Sequence, residues 1–262
     1  MQPKSSPHPQ LPPDNVVPFP QRQLQATPQR LGNAVLLDYL YGIDNGALDD
    51  APDGRRQQLF DYATNSPAAR ALRCRRRMIA RAIDDTCLRR GAEARILCIG
   101  GGHFREAELS RAVRHGQFGE ILVFDPDKEC LRVVDAAYGP RGVRTCHGSL
   151  GQLLSGQLQL SRYDLVYSAG LCDHLEDRTG VQLAMRLFHA LKPGGKLLLG
   201  NFRTRIAGIG YLEGLLDWRP HYRRDAQLFA LLLGIDYNDI ASARVIHDIG
   251  RRIAFLEAVR YG

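Results

Sequence analysis

The sequence predicts an α/β fold in which a doubly wound, mostly parallel sheet of seven strands ends in an antiparallel hairpin. From residue 93 onward, short apolar runs alternate with amphipathic runs, a pattern typical of a parallel sheet covered by helices on both faces. Near the carboxyl terminus, the strand-like runs SARVIHDIG and RRIAFLEAVRYG follow one another almost directly. Parallel strands need a crossover of about a dozen or more residues, so these two runs predict a hairpin.

The composition is that of an ordinary globular protein. The 262 residues are 44% hydrophobic and 24% charged, which is enough chain to bury one sizeable core and a small cap. We predict a disordered, Pro-rich tail over residues 1–30, a helical cap over 31–92 and a main domain over 93–262. Residues 203–224 are expected to insert into that domain as a lid.

The sequence contains neither a recognisable targeting segment nor a metal-binding pattern. The amino-terminal segment lacks the apolar core of a signal peptide, and no run approaches the length of a membrane helix. The six cysteines show neither a C-x-x-C pair nor a metal-ligand spacing, so no bound metal is expected. Cys98 and Cys146 lie in strand-like runs, where free thiols are common, and we predict a reducing, cytoplasmic location.

The formal charge of +7 raises the alternative of a nucleic-acid partner. The charge is spread thinly, and its densest run, RALRCRRRMIAR at residues 70–81, has apolar residues among the arginines. One face of this helix can therefore be buried while the rest is solvated or binds a small anion. We expect a small-molecule partner in preference to a nucleic acid; the oligomeric state does not follow from the sequence.

Helical spacing and capping signals predict three helices before the sheet. Apolar residues recur at helical intervals in NAVLLDYL, residues 33–40, and again over residues 55–62. Ser66 and Pro67 suit the cap and the first turn of a long helix that extends to about Arg90, where Gly91 ends it.

The later elements alternate between strand and helix. Strands are predicted in ARILCI, EILVFD, VRTCHG, YDLVYSA and GKLLLGNF, and helices over residues 104–115, 128–137, 180–191 and 225–233. In an open sheet of this kind, ligands bind at the carboxyl ends of the strands. The segments that follow these strands are therefore expected to converge on one site.

The first strand leads into three glycines, in RILCIGGGHFREAEL. Gly100 and Gly102 occupy the first two positions of the dinucleotide-binding pattern G-x-G-x-x-G, but Arg105 occupies the third. A bulky residue there disfavours a dinucleotide. It is compatible with S-adenosylmethionine, which has no pyrophosphate and needs only a closely approaching backbone.

Polar residues also follow the second and third strands. Asp125 ends EILVFD, where a carboxylate can accept hydrogen bonds from both ribose hydroxyls of an adenosine. The alternative role is a helix cap, for which Asp127 is better placed. After the third strand, in TCHGSL, Ser149 or the Leu150 backbone can bond an adenine edge, although Ser149 can equally be a turn former.

Taken together, these motifs resemble a known family. GGGHFRE, FDPD, HGS, YDLVYSAGL and LKPGGKLLLGNF, in this order, resemble class I S-adenosylmethionine-dependent methyltransferases over roughly residues 60–262. A narrower set, GGHFREAELS, YSAGLCDHLEDR, GNF and LLDWRPHYR, is similar to bacterial methyltransferases of 3-hydroxypalmitic acid methyl ester biosynthesis. This chain departs from them at Gly101, where a cysteine is common, and in CDHL, where a Phe-Asp-Tyr-Leu type of sequence is common.

The motifs and the resemblance imply S-adenosylmethionine as the cofactor and a set of site residues. His174 is the candidate general base, or alternatively a polar residue at a helix start, and Arg105 could reach a carboxylate of the cofactor or substrate. The predicted cofactor-binding residues are Gly100, Gly101, Gly102, Arg105, Asp125, Pro126, Gly148, Ser149, Ser168, Gly170 and Arg77, with Arg73 as an alternative to Arg77. The predicted catalytic residues are His174 and Tyr222, and the predicted acceptor-binding residues are Asn201, Trp218, His221 and Arg223.

The function that these predictions imply is methyl transfer to an oxygen, or less readily a nitrogen, of a small metabolite, such as a fatty or other carboxylic acid. A carboxylate acceptor needs no base, whereas an alcohol, phenol or ammonium group does. Two alternatives stay open: a methyltransferase acting on RNA or protein, and a cofactor-binding partner protein without catalytic activity.

Overall fold

The computed structural model describes residues 34–43, 56–203 and 220–262. The predicted tail, the loop over residues 44–55 and most of the predicted lid, residues 204–219, lie outside the described residues. The described helices are α1 Ala34–Tyr41, α2 Arg56–Thr64, α3 Pro67–Arg90, α4 Arg111–Arg114, α5 Lys128–Tyr138, α6 Leu150–Leu154, α7 Asp177–His189 and α8 Asp225–Ala230. The strands are β1 Arg95–Ile99, β2 Glu120–Asp125, β3 Val143–His147, β4 Tyr163–Ser168, β5 Leu191–Phe202, β6 Ile240–His247 and β7 Ile253–Arg260.

The strands form one seven-stranded sheet in the order β3-β2-β1-β4-β5-β7-β6. Strands β1 to β5 pair in parallel, and β7 pairs antiparallel to both β5 and β6. The predicted fold class is therefore confirmed, including the terminal hairpin. Because β1 is the strand between β2 and β4, the order reverses there, and ligands bind at such switch points in doubly wound sheets.

Apolar residues on both faces of the parallel strands explain why the sheet is sandwiched. One face packs Leu165 and Tyr167 of β4 against Leu72 and Ile79 of α3. The opposite face packs Val166 of the same strand with residues of α7. The helices of the predicted cap share the first of these clusters with the strands, so they are part of one hydrophobic core.

The long helix α3 has the ends that its sequence predicts. The Ser66 side chain accepts a hydrogen bond from the Ala69 backbone, and Pro67 occupies the first turn. Gly91 ends the helix with φ 58°, in the left-handed range that favours glycine.

Several predicted helices have different bounds in the structure; the helix predicted over residues 225–233, for example, ends at Ala230. The segment predicted as one helix over residues 104–115 is a 3₁₀ turn, Arg105–Glu108, followed by the single turn α4. Ser110 separates them, since its hydroxyl accepts from Val113 N and donates to Asp84. Helix α7 begins at Asp177, three residues earlier than expected.

Within the described part of the chain, no helix combines the length and the apolar character that a membrane span requires.

Candidate functional site

The glycine loop lies at the carboxyl end of β1. Gly100 and Gly102 have φ values of 66° and 52°, which side chains other than glycine rarely adopt. Gly101 is required for a different reason, because a Cβ there would lie 2.4 Å from Val123 Cγ1. The Gly100 backbone nitrogen donates to the Phe124 carbonyl at 2.9 Å. The loop backbone is therefore pressed against β2, which leaves its outer side to a ligand.

Asp125 holds the other side of this loop. Its Oδ2 accepts from the Gly102 nitrogen at 2.8 Å, and its Oδ1 accepts from the Asp127 nitrogen at 2.8 Å. The carboxyl group is buried, and this burial raises its pKa. Each carboxylate oxygen can accept a second hydrogen bond, so the side chain can still receive ribose hydroxyls. Asp127 caps α5 by accepting from the Glu129 nitrogen, as expected.

The Arg105 side chain forms its hydrogen bonds with other residues of the protein. Its Nε and Nη2 donate to the two carboxylate oxygens of Asp38 on α1, at 2.8 and 2.6 Å, and its Nη1 donates to Glu108. His103 Nδ1 also lies 2.8 Å from Asp38 Oδ2. The carboxylate that Arg105 reaches is therefore that of Asp38 rather than that of a ligand, and the pair holds α1 against the glycine loop.

Arg75 of α3 is a site residue that the sequence analysis missed. It is 3% exposed, and a Cβ on Gly170 would lie 2.6 Å from its Nη1. Of the two arginines named from the sequence, Arg77 is exposed and Arg73 donates to the Leu40 carbonyl. The helical period contained the signal, because position 75 falls between the buried Leu72 and Ile79 on one face of the helix.

Asp173, in the turn after β4, is the second missed residue. It is completely buried, and its Oδ1 accepts from the Phe202 nitrogen at 2.6 Å. Its Oδ2 lies 3.5 Å from Arg75 Nη1 and has no hydrogen-bond partner among the described residues. Burial raises the pKa of this carboxyl group to about 7, and the positive charge of Arg75 opposes that rise.

The predicted catalytic residues lie beside this pair. Burial, together with the positive charge of Arg75, lowers the pKa of His174 to about 4. The imidazole is therefore neutral near pH 7, and its role as a general base stays a prediction. Tyr222 is half-buried and packs against the core on the α3 face of the sheet. His221 is exposed, and its backbone nitrogen donates to the Asp173 carbonyl at 2.6 Å.

Asn201 and Arg223, both predicted to bind the acceptor, make several contacts with other parts of the chain. Arg223 is 1% exposed and donates to the carbonyls of Cys172 and Leu175. It also donates to Asn201 Oδ1 at 2.8 Å and to Asp177 Oδ1 at 3.0 Å. The Asn201 amide donates to the backbone carbonyls of Phe202 and His221, so both side chains fasten the returning chain to the sheet. Trp218 lies outside the described residues.

The remaining predicted cofactor residues differ in their surroundings. Ser168 Oγ, at the end of β4, is buried with no hydrogen-bond partner in the part of the chain that the structure describes. Gly148 is required by close packing, since a Cβ there would lie 2.8 Å from the Phe124 ring. The Ser149 hydroxyl caps α6 by accepting from the Gln152 nitrogen, and Pro126 is exposed. Their roles toward a cofactor stay predictions.

Behind the glycine loop, Glu106 and Tyr167 form a buried hydrogen bond. The Tyr167 hydroxyl donates to Glu106 Oε1 at 2.6 Å, and burial raises the pKa of both groups. Tyr167 is thus a fully buried residue of β4. No group of His, Cys, Asp or Glu side chains in the described ranges has the arrangement of a metal site.

Comparison with solved structures shows which proteins share this architecture. The chain is similar to a possible exported protein from Bordetella parapertussis, with a TM-score of 0.63, 16% identity and 94% of each chain covered. The chain shares its doubly wound, Rossmann-like fold with solved methyltransferases. The CurJ carbon methyltransferase matches with a TM-score of 0.59 and 15% identity, over 93% of this chain and 70% of the other. The S-adenosylmethionine-dependent methyltransferase SibL matches with a TM-score of 0.55 and 18% identity, over 92% and 72%.

Sequence comparisons give no closer relative. No protein-family model matches the chain, and no curated protein matches its sequence. Likeness at such low identity establishes the fold and leaves the activity to be argued from the site.

Proposed function

We propose that the chain is an S-adenosylmethionine-dependent methyltransferase that transfers a methyl group to an oxygen atom of a small molecule. The observation that carries the proposal is the bond between Gly102 N and Asp125 Oδ2, at 2.8 Å, at the carboxyl edge of β1 and β2. It places a tight glycine backbone and a buried carboxylate side by side. S-adenosylmethionine is a nucleoside attached to an amino acid, and it needs both features. The carboxylate can bind the ribose, and the glycine backbone leaves room for the methionine portion.

The described residues fit this cofactor. Asp125 would accept from the ribose hydroxyls, and the backbone of the glycine loop would lie along the methionine portion. Arg75 would grip the methionine carboxylate, since its buried Nε lacks a hydrogen-bond partner among the described residues and needs an acceptor. Ser168 Oγ offers a further buried polar group at the end of β4. When bound, the cofactor supplies an electrophilic methyl group on a positively charged sulfur.

A dinucleotide fits less well. The third glycine position of the dinucleotide pattern is filled by Arg105, whose side chain is clamped by Asp38. That position normally lets a helix pack closely on the strand below a pyrophosphate. Here a 3₁₀ turn begins at Arg105 instead, so the loop is not followed by a long helix whose amino terminus could bind a pyrophosphate.

Two features bear on the identity of the acceptor, and they favour different chemistry. The narrower sequence resemblance favours a fatty or other carboxylic acid as the substrate, in biosynthesis of a signal or secondary metabolite. The buried carboxylate of Asp173 beside the site favours an acceptor without a negative charge.

The test is a transfer assay with methyl-labelled S-adenosylmethionine and fractionated cell extract. Purified protein is incubated with small molecules, RNA and protein as separate fractions, and labelled products are identified by mass spectrometry. We expect label in small molecules, and we expect the Asp125→Ala variant to lose it. Label confined to RNA or protein would contradict the proposed acceptor class. Failure to label any fraction, with S-adenosylhomocysteine still bound, would favour a cofactor-binding partner without activity.

A further inference from the structure

The buried ion pair of Arg75 and Asp173 is incompletely satisfied. Arg75 is 3% exposed and Asp173 is 0% exposed, and the nearest approach of their charged groups is 3.5 Å, from Nη1 to Oδ2. Within the described residues, Arg75 Nε lacks a hydrogen-bond acceptor and Asp173 Oδ2 lacks a donor. Unpaired buried polar atoms are costly, so a donor and an acceptor left over in one place indicate that bound molecules supply their partners.

Asp173 lies at the carboxyl edge of the sheet, between the ends of β4 and β5. Its other oxygen accepts from Phe202 N at 2.6 Å, so the carboxyl group bridges the carboxyl ends of β4 and β5. The chain that returns beyond residue 219 also docks there, through the His221 nitrogen on the Asp173 carbonyl. Phe202 of β5 therefore holds the carboxyl group, and the returning segment holds the backbone of the same residue, a rigid setting for a group that is to meet a substrate.

The charge of Asp173 constrains what can bind beside it. An acceptor that carries a hydroxyl group would donate a hydrogen bond to Oδ2 and remove the unpaired atom. An ionised carboxylic acid would instead bring a second negative charge against that of Asp173 wherever the pH is high enough to ionise Asp173. With Arg75 Nε turned to the methionine carboxylate, Oδ2 is the atom that stays available to the acceptor.

We propose, on the basis of the function proposed above, that Asp173 Oδ2 accepts the proton of a neutral hydroxyl acceptor, so that the substrate is an alcohol or a phenol rather than a carboxylic acid. The acceptor oxygen forms a bond to the methyl carbon, and the carbon–sulfur bond breaks with its electron pair remaining on sulfur. The hydroxyl proton passes to Oδ2, which releases it to water after the products leave. Arg75, in addition to its proposed contact with the methionine carboxylate, keeps the Asp173 carboxylate oriented.

The charged and titratable groups around Asp173 support this role. Arg75 faces it from α3, Arg223 acts on it from the returning segment, and burial outweighs both so that its pKa is about 7. A group with this pKa can take up and release a proton near neutral pH. The neighbouring His174, next to Arg75 and His221, has a pKa of about 4 and is the weaker proton acceptor.

The test uses the Asp173→Asn variant, in which the amide oxygen can still accept from Phe202 N but the second atom becomes a donor. The matched control is Asp164→Asn, which alters another buried aspartate, at the start of β4, whose partners Arg95 and Lys192 lie at the opposite edge of the sheet. Circular dichroism and thermal unfolding establish that both variants are folded. Calorimetry with S-adenosylhomocysteine then establishes that the cofactor site is intact.

Two readouts follow on the full chain saturated with S-adenosylhomocysteine or S-adenosylmethionine. The first is the affinity for a series of neutral phenols and primary alcohols, from phenol to hexadecanol, relative to carboxylates of equal size. We expect the wild-type complex to prefer the hydroxyl compounds, and Asp173→Asn to shift the ratio toward carboxylates by about tenfold or more. The second is methyl transfer to the best hydroxyl acceptor, which should fall about 100-fold or more in Asp173→Asn and little in Asp164→Asn.

The outcomes separate this inference from the proposed function. If S-adenosylhomocysteine does not bind the wild type, the proposed function fails. If it binds, three results overturn the role of Asp173 alone: a preference for carboxylates in the wild-type complex, an unchanged ratio in Asp173→Asn, or no binding of any hydroxyl compound in the series. Equal transfer rates in Asp173→Asn and the wild type would overturn it as well.

Discussion

Arg105 and Asp38 form a two-bond ion pair that joins the glycine loop to helix α1, across 67 residues of sequence. The Asp38 carboxylate is 3% exposed, whereas the guanidinium is about one-fifth exposed. Burial alone would raise the pKa of Asp38, but the hydrogen bonds from Arg105 and His103 hold it below its usual value. The pair therefore stabilises the fold at neutral pH and loses that contribution as the pH falls through the lowered pKa.

Breaking the ion pair of Arg105 and Asp38 should weaken the attachment of helix α1 to the glycine loop. Asp38→Asn removes the negative charge, and we expect the free energy of unfolding in urea to fall by about 2 kcal/mol, since hydrogen bonds to charged groups contribute on this scale. The control is Glu129→Gln, whose ion pair with Arg132 is exposed and should change stability by no more than about 0.5 kcal/mol. Equal changes in the two variants would show that the buried ion pair contributes no more to the free energy of unfolding than the exposed one.

Asp125 should determine cofactor affinity. Asp125→Ala removes the ribose acceptor and the support of Gly102, and we expect the Kd for S-adenosylhomocysteine to rise about 30-fold, or about 2 kcal/mol. Asp127→Ala is the control, because it removes a helix cap two residues away. It should cost about 1 kcal/mol of stability and leave the Kd nearly unchanged. An unaltered Kd in Asp125→Ala would remove the ribose role.

The close approach of the loop to β2 predicts a contrast between two glycines. In Gly101→Ala, the new methyl group meets Val123 Cγ1 at 2.4 Å and Cys98 Sγ at 3.1 Å, so we expect a loss of about 1–3 kcal/mol from overpacking. Gly151 is an exposed residue of α6, and a Cβ there would come no closer than 3.8 Å to Ser149 Oγ, so Gly151→Ala should be neutral or stabilise by up to about 1 kcal/mol. Thermal unfolding of the two variants measures the difference, and a tolerated Gly101→Ala would contradict the packing described.

Asp173 and His174 predict opposite pH dependences from adjacent positions. The folded protein holds the Asp173 proton more tightly than the unfolded chain, so this group's contribution to stability falls as the pH rises from about 4 to about 7. His174 resists protonation when folded, so its contribution is lost as the pH falls from 6.5 to about 4. Between about pH 4 and 6.5 the two slopes cancel, each being at most about 1.4 kcal/mol per pH unit.

Single substitutions should expose each slope. Relative to the wild type, the stability of Asp173→Asn should gain a positive slope with pH over this range, and that of His174→Gln a negative slope. Urea unfolding at half-unit pH steps measures both, and subtracting the wild-type curve removes the titration of all other groups. Parallel curves for the three proteins would show that neither pKa is shifted by burial.

Local chemistry made much of the fold predictable. Ser66, Gly91 and Asp127 act within a few residues of themselves, and each has the capping role that its sequence context indicates. The strands were readable because both faces of the sheet are covered, which makes each parallel strand continuously apolar. The hairpin followed from the shortness of its connection alone.

The site was less predictable because its decisive contacts are distant in sequence. Arg223 reaches the Cys172 carbonyl across 51 residues, and a surface cation bound to an acceptor would have the same local sequence. Arg105 is likewise ambiguous until Asp38 is placed beside it. In the sequence, Asp173 is only a polar residue next to His174. Its burial depends on Phe202 and Arg75, which are distant in sequence and contact its carboxyl group in the folded protein.

The central claim is that the carboxyl edge of β1, β2 and β4 binds S-adenosylmethionine, and calorimetric titration of the full-length protein with S-adenosylhomocysteine tests it most directly. The account predicts one site per chain with a Kd in the micromolar range, about 8 kcal/mol of binding free energy. It also predicts weaker binding by Arg75→Met, in which the methionine carboxylate loses its partner. The absence of any binding heat at millimolar ligand, with the protein folded, would contradict the claim.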